Sequence, residues 1–211
     1  MILRWLGHAS FMIEIGSTRI VTDPFNEYVG FKMPAVTAEL VTCSHGHRDH
    51  AATYEVLGSP QVIDSPGEHG FQDILIHGTS TFHDKKRGKE RGNNIVFTFK
   101  NQDISICHLG DLGHILETGQ VMEIGPVDVL LIPVGGLYTI SAAEAVQVRD
   151  LIKPRLTVPM HYKTPDLSFP LSPVEDFIRN YNSVVKLPFL EISSQEAISL
   201  PEVVILDRYS S

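Results

Sequence analysis

SHGHRDH, residues 44–50, follows the apolar run Glu39 to Cys43 and sets Ser44, His45, Gly46, His47, Arg48, Asp49 and His50 side by side. Three imidazoles and a carboxylate so close together compete for the same partners unless something shared holds them. In an extended segment side chains alternate, so His45 and His47 point the same way from the end of their strand. Asp49 and His50 fall where the chain turns and re-aim at that point from another side, unless Asp49 serves only as a helix N-cap. Neutral imidazole with carboxylate is the donor set that zinc prefers, and manganese or iron tolerate it, at ligand distances of ~2.0–2.2 Å. We read the stretch as a metal site at a strand end.

Working outward, the first half is a series of short apolar runs with turn signals between them. Strands are expected over Ile2 to Leu6, Phe11 to Ile15, Arg19 to Thr22 and Glu39 to Cys43, then Gln61 to Asp64, Asp73 to Ile76, Ser80 to Phe82, Asn94 to Phe99 and Ile104 to His108. A helix is expected from His50 through Ala51, Ala52, Tyr54, Val56 and Leu57, closing at Gly58. Val129 to Ile132 and Leu156 to Val158 read as buried strands flanking a helix that opens on the capping box Ser141–Glu144 and ends before Pro154. A second box, Ser172 to Glu175, predicts a helix to about Asn180. Two sheets packed face to face with helices outside fit this order, an α+β arrangement. A doubly wound parallel sheet fits worse, because the early strands lie too close for helical crossovers.

The 211 residues are 43% hydrophobic and 20% charged, a soluble globular balance, and we expect one domain over 1–211. The net charge of -8 argues against a nucleic-acid partner, since phosphate contacts need clustered Lys and Arg. No apolar run approaches the roughly 20 residues that span a bilayer, so stable membrane insertion is not expected. MILRWLGHASFMIEIG reads as two strands rather than an export leader, and Cys43 and Cys107 read as buried reduced thiols, which together point to a cytoplasmic location. The apolar stretches VVKLPFLEI and PEVVILD either finish the fold or pair chains across a sheet edge as a homo-oligomer.

A local cluster needs distant partners, and three positions at strand ends qualify: His83, Asp111 in HLGDLGH, and His161 in PMHY. HxHxDH followed by a distant His, a GD-type Asp and a final His resembles the metallo-β-lactamase superfamily over nearly the whole chain. GHASFMIEIG, VTDPF, HLGDLGH, IPVGG and PMHYKT resemble its branch of small cytoplasmic hydrolases related to ascorbate-6-phosphate lactonase. The resemblance implies a four-layer αββα sandwich with the site at one edge. It implies one metal ion on His45, His47 and His83, a second on Asp49, His50 and His161, and Asp111 between the two. Asp23 would orient a ligand from behind by a hydrogen bond. The insertion of the nucleic-acid-cleaving branch is absent, which discounts a nuclease.

Two divalent ions roughly 3.5–4 Å apart hold a bridging water and lower its pKa toward about 7, giving a hydroxide nucleophile. Zinc is the first choice, manganese or iron the alternatives. The expected reaction is hydrolysis of a small ester, lactone or phosphodiester. The charge balance of ions, Asp49, Asp111 and hydroxide favours a small-molecule substrate that is neutral or anionic. Asp49 would aim the nucleophile or shuttle its proton. In the basic run DKKRGKERG, residues 84–92, Arg91 is the best substrate contact by its planar fork, against the plain reading of a solvated loop. Tyr138 either offers a phenol to a developing oxyanion or packs over the glycines. His8 lines the site or caps its turn, and His114 contacts substrate or bonds locally. His69, His77 and His108 read as structural. The competing function is a mononuclear-iron redox enzyme resembling a persulfide dioxygenase, and a non-catalytic metal sensor is third.

Overall fold

The computed structural model describes residues 1–192 and 201–210. In chain order the strands are β1 (Ile2–Gly7), β2 (Ser10–Ile15), β3 (Thr18–Thr22), β4 (Leu40–Thr42), β5 (Gln61–Ile63), β6 (Gly67–Phe71) and β7 (Ile74–Phe82). They continue as β8 (Asn93–Lys100), β9 (Ser105–His108), β10 (Val129–Pro133), β11 (Leu156–Met160), β12 (Val184–Leu187), β13 (Leu190–Glu191) and β14 (Val203–Leu206). One sheet has six strands in the order β13-β1-β2-β3-β4-β5, the other eight in the order β12-β14-β11-β10-β9-β8-β7-β6. Both are mixed: β1, β2 and β3 run antiparallel and β3, β4 and β5 parallel, while β9, β10 and β11 are parallel and β6 to β9 antiparallel.

Side-chain alternation explains the apolar runs. In β2, Phe11, Ile13 and Ile15 face a core shared with Ile76, Phe97, Val129 and Val158 of the other sheet, whereas Met12 points to the opposite side. Each fully buried side chain of this kind contributes about 1.5–3 kcal/mol relative to exposure. On the outer face of the six-stranded sheet, Leu6, Met12, Val21 and Val41 are covered by Phe25, Val29, Met33 and Val36, with Leu167 and Leu171. That layer is made of loops and a short 3-10 turn (Glu27–Val29) rather than α-helix. The helices α1 (Thr118–Ile124) and α2 (Ala142–Ile152) lie on the eight-stranded side, with α3 (Glu175–Ile178) beside α2. The fold is thus an α+β sandwich.

Several elements differ from expectation. The helix from His50 to Gly58 is one 3-10 turn, Thr53–Glu55. Its flanking backbone is taken elsewhere: Ala52 donates to the Pro24 carbonyl at 2.8 Å and Leu57 to Val36 at 2.8 Å. The runs expected over Asp73–Ile76 and Ser80–Phe82 merge into the single strand β7, which starts at Ile74 and in which Gly78 lets Ser65 and Pro66 pass close to the backbone. The box at Ser172 does not form, because the Ser172 amide donates to Gly135 and its carbonyl accepts from Lys163. The Ser141–Glu144 box is made in full, and a third, Glu117–Gln120, opens the overlooked helix α1. The C-terminal stretches finish the fold, β14 lying between β12 and β11 and β13 pairing with β1.

Candidate metal centre

The candidate residues all sit just beyond strand ends on one edge of the sandwich. From the six-stranded sheet come His8 after β1, Asp23 after β3, and the segment 44–50 after β4. From the eight-stranded sheet come His83 after β7, Asp111 after β9 and His161 after β11. Direct backbone bonds join the two sheets there: the His161 amide donates to the His8 carbonyl at 3.0 Å, and Ile95 to Ser44 at 2.8 Å. His8, Asp23 and His161 have φ of 52°, 42° and 51°, so each strand ends by turning abruptly through the left-handed region.

Two groups of imidazoles result, His45 with His47 and His83, and His8 with His50 and His161, the ligand atoms of each lying within 4.8 Å of one another. Asp111 stands between the groups. Its Oδ2 is 3.3 Å from Nε2 of both His50 and His83, and its Oδ1 is 3.4 Å from Nε2 of His161. Asp49 Oδ2 lies 3.5 Å from His8 and 3.9 Å from His50. Behind them, buried Asp23 accepts from the Ser44 amide at 2.7 Å, the Ser44 hydroxyl at 2.5 Å and His50 Nδ1 at 2.8 Å. Those bonds fix the orientation of the His50 ring and leave its Nε2 turned to the site. Ser44 Oγ also lies 2.9 Å from His45 Nδ1, which orients that ring in the same way.

The electrostatics suit a cation. Burial, reinforced by the nearby His50 charge, pushes His45 down to about 3, and burial likewise lowers His161 to about 3. His8 and His83 are lowered by burial too, so four rings are neutral at neutral pH, the form that donates a lone pair. Burial opposes charge on His50, but the Asp111 and Asp23 carboxylates outweigh it and raise His50 well above its ordinary value. Burial also opposes charge on Asp111, yet His161 and His50 hold it well below the usual carboxylate range. Nε2 of His45 and His50, Nδ1 of His83 and His161, both nitrogens of His8 and Oδ1 of Asp111 are buried without a hydrogen-bond partner. Such orphaned donors and acceptors cost about 1–3 kcal/mol each unless a ligand takes them, and imidazole with carboxylate is the donor set of a divalent metal. The residues present fit metal ions.

A cavity of ≈ 410 Å³ opens over this cluster, lined by His47, Asp49, His83, Asp111 and His161 and by Tyr28, Arg48, Arg91, Tyr138 and Phe169. Arg91 and Tyr138 come together there, the guanidinium 4.7 Å from the ring centroid. Tyr28, Arg48 and Phe169 went unnoticed in the sequence, although Arg48 lies inside the decisive motif. Three other cations of the basic run are held in ion pairs: Lys85 with Glu144, Lys86 with Glu90 and Arg87 with Glu117. Asp84 organises that loop, its carboxylate accepting from the amides of Lys86, Gly88, Glu90 and Arg91.

His114 lies outside the cavity lining, its Nδ1 2.7 Å from the Ile115 carbonyl and its Nε2 accepting from the Phe82 amide at 3.3 Å. Local bonding therefore uses both nitrogens. His108 Nε2 lies 2.7 Å from the Ala9 carbonyl, His77 pairs with Glu123, and His69 contacts the Ser65 carbonyl. Cys43 and Cys107 are both buried and free.

The family model for the β-lactamase superfamily domain matches residues 2–161, and the chain belongs to that family, with the metallo-β-lactamase fold. Among individual proteins, it is similar to a UPF0173 metal-dependent hydrolase from Thermococcus kodakarensis, 31% identical over 190 residues that cover 77% of this chain and 84% of the relative. The crystal structure of a Thermotoga maritima protein described as a Zn-dependent hydrolase of the metallo-β-lactamase superfamily matches at a TM-score of 0.83 and 43% identity, over 97% of each chain. An isothiocyanate hydrolase from Delia radicum gut bacteria shares the fold at a TM-score of 0.71 and 13% identity, over 99% of this chain and 97% of that one.

Proposed function

We propose that this chain is a metal-dependent hydrolase of a small ester, lactone or phosphodiester, with two divalent ions held at the strand-end cluster. His45, His47 and His83 would hold one ion and Asp49, His50 and His161 the other, with Asp111 shared. Zinc is the first choice for this donor set, and manganese or iron also suit it. The observation that carries the reading is the position of Asp111, its two oxygens within 3.3–3.4 Å of histidines from both groups. One carboxylate between two imidazole sets supports two ions rather than one, and the hydrolase names of relatives above 30% identity support hydrolysis rather than redox chemistry.

When bound, the ions supply Lewis acidity, activating a water and polarising the oxygen of the scissile bond. The chain's own groups do the rest. Asp49 Oδ2 borders the cavity with His8 3.5 Å behind it, placed to accept the water's proton. Burial opposes charge on Asp49, but His8 and His50 outweigh it and keep the carboxylate ionised at neutral pH. Arg91 presents its guanidinium to negative charge on the substrate, with the Tyr138 ring beneath it. His114, bonded through both nitrogens, takes no part.

Elemental analysis of the purified protein, with hydrolysis of bis(p-nitrophenyl) phosphate and a simple lactone, tests the reading. About two zinc or manganese ions per chain are expected, with turnover lost on chelation and restored by the metal. A single iron per chain without hydrolysis of either compound would overturn it.

A further inference from the structure

The chain has nine arginines, and seven of them are ion-paired with Asp or Glu. The other two, Arg48 and Arg91, have no carboxylate partner among the described residues, and both line the cavity over the metal cluster. In a protein of net charge -8, carboxylates are not scarce, so two unpaired guanidiniums at one cavity stand out. Neither is loose. Arg48 lies over the Tyr28 ring at 3.3 Å from its centroid, and Arg91 over Tyr138 at 4.7 Å. Phe169 bridges the two tyrosines edge-on, 5.4 Å from Tyr28 and 5.9 Å from Tyr138.

A guanidinium stacked on a ring has its face occupied and its N–H edges free, and the stacking removes part of the entropy that binding would otherwise cost. Those edges are the part of arginine that recognises an oxyanion through paired hydrogen bonds. Phe169, between the two stacks, adds an apolar ring surface to the same cavity wall. The volume of ≈ 410 Å³ is that of a small-molecule site rather than a polymer groove.

We propose that Arg48 and Arg91 form a two-sided oxyanion clamp, and that the substrate is a small organic molecule carrying a phosphoryl or carboxylate group next to a flat apolar portion seated against Phe169. As an assignment of substrate class it rests on the hydrolase reading, but the clamp itself is a binding property and is measurable without turnover. Arg48 comes from the metal-binding segment and Arg91 from the loop after His83, so the two sides of the clamp approach the cluster from different sheets.

Calorimetric titration of the metal-loaded protein with phenylphosphonate, benzoate and neutral acetophenone tests the clamp. None of the three has a hydrolysable bond. Arg48→Met and Arg91→Met should each weaken binding of at least one anion about 10-fold or more, the loss of one charge-assisted hydrogen bond. Acetophenone binding should change less than about 2-fold, since it makes no such bond. The anion that suffers more identifies phosphoryl or carboxylate as the recognised group. Equal anion binding by wild type and both variants would overturn the clamp, as would no anion binding by wild type. Either result leaves the hydrolase reading to the phosphodiester and lactone assays, so the two fail separately. Arg48→Lys and Arg91→Lys, which keep charge but lose the planar fork, should recover only part of the affinity.

Discussion

Asp23 shows how much a single residue behind the cluster controls. One carboxylate holds the Ser44 amide, the Ser44 hydroxyl and His50 Nδ1, and so sets both the turn into segment 44–50 and the orientation of a candidate ligand. Asn tolerates the left-handed backbone at this position and keeps the shape, but gives up the charge. Asp23→Asn should therefore lower zinc affinity about 10- to 100-fold, measured by competition with a chromophoric chelator. The melting temperature of the chelator-treated protein should fall too, by the several degrees that about 1–3 kcal/mol for mispaired buried bonds corresponds to, so affinity is compared on protein that is folded at the assay temperature. Undiminished affinity would reduce Asp23 to a turn-shaping role. At this scale the candidate ligands were legible because four of them share one seven-residue motif and the rest follow strands with conspicuous apolar runs. Tyr28 and Phe169 carried no such signal: they meet only because loops 141 positions apart fold together.

Among the elements, glycines set how closely the strand-end loops can approach. Gly113, in HLGDLGH, sits against the backbone of His83 and Asp84, and Gly135, in IPVGG, against the His161 carbonyl. A Cβ at Gly135 has no room there, and its obstacle is backbone. Gly135→Ala should cost about 1–3 kcal/mol of stability and displace His161, so that metal content per chain falls along with the melting temperature. Full metal loading in a folded variant would show that His161 is not needed to hold an ion. Strand positions were readable from alternation, since β2 and its neighbours feed two cores from opposite faces. The expected helix after His50 failed for a reason no local pattern records: Ala52 and Leu57 bond to Pro24 and Val36, far away in the chain. The helix α1 was missed because its capping box begins with Glu rather than with Ser, Thr, Asp or Asn.

For the whole molecule, the distribution of the candidate ligands matters more than their number. His45, His47, Asp49 and His50 extend from one sheet, and His83, Asp111 and His161 from the other, so a bound ion ties the sheets together. Ions that bind only the folded state add about 4 kcal/mol at a thousand times the dissociation constant. For a chain of this length that corresponds to a rise in melting temperature on the order of 10 °C. Chelation followed by differential scanning calorimetry should show that drop, and adding zinc should reverse it. No change would mean that the ions do not bridge the sheets. None of the helices among the described residues is long and apolar enough to cross a membrane. The sandwich itself was foreseeable from the crowding of early strands, whereas the loop-built layer over Met12 and Val41 was not, because loops have no period to read.

His8, Asp23 and His161 each hold a left-handed backbone that costs a residue with a Cβ about 1–2 kcal/mol and costs glycine almost nothing. Glycine would relieve that strain, but at each position it would also empty the space of a buried ring or carboxylate. It would forfeit what a bound ion adds as well, so directed evolution for heat resistance in the presence of zinc should leave all three residues in place, and the strain is the fee for chemistry that also steadies the fold.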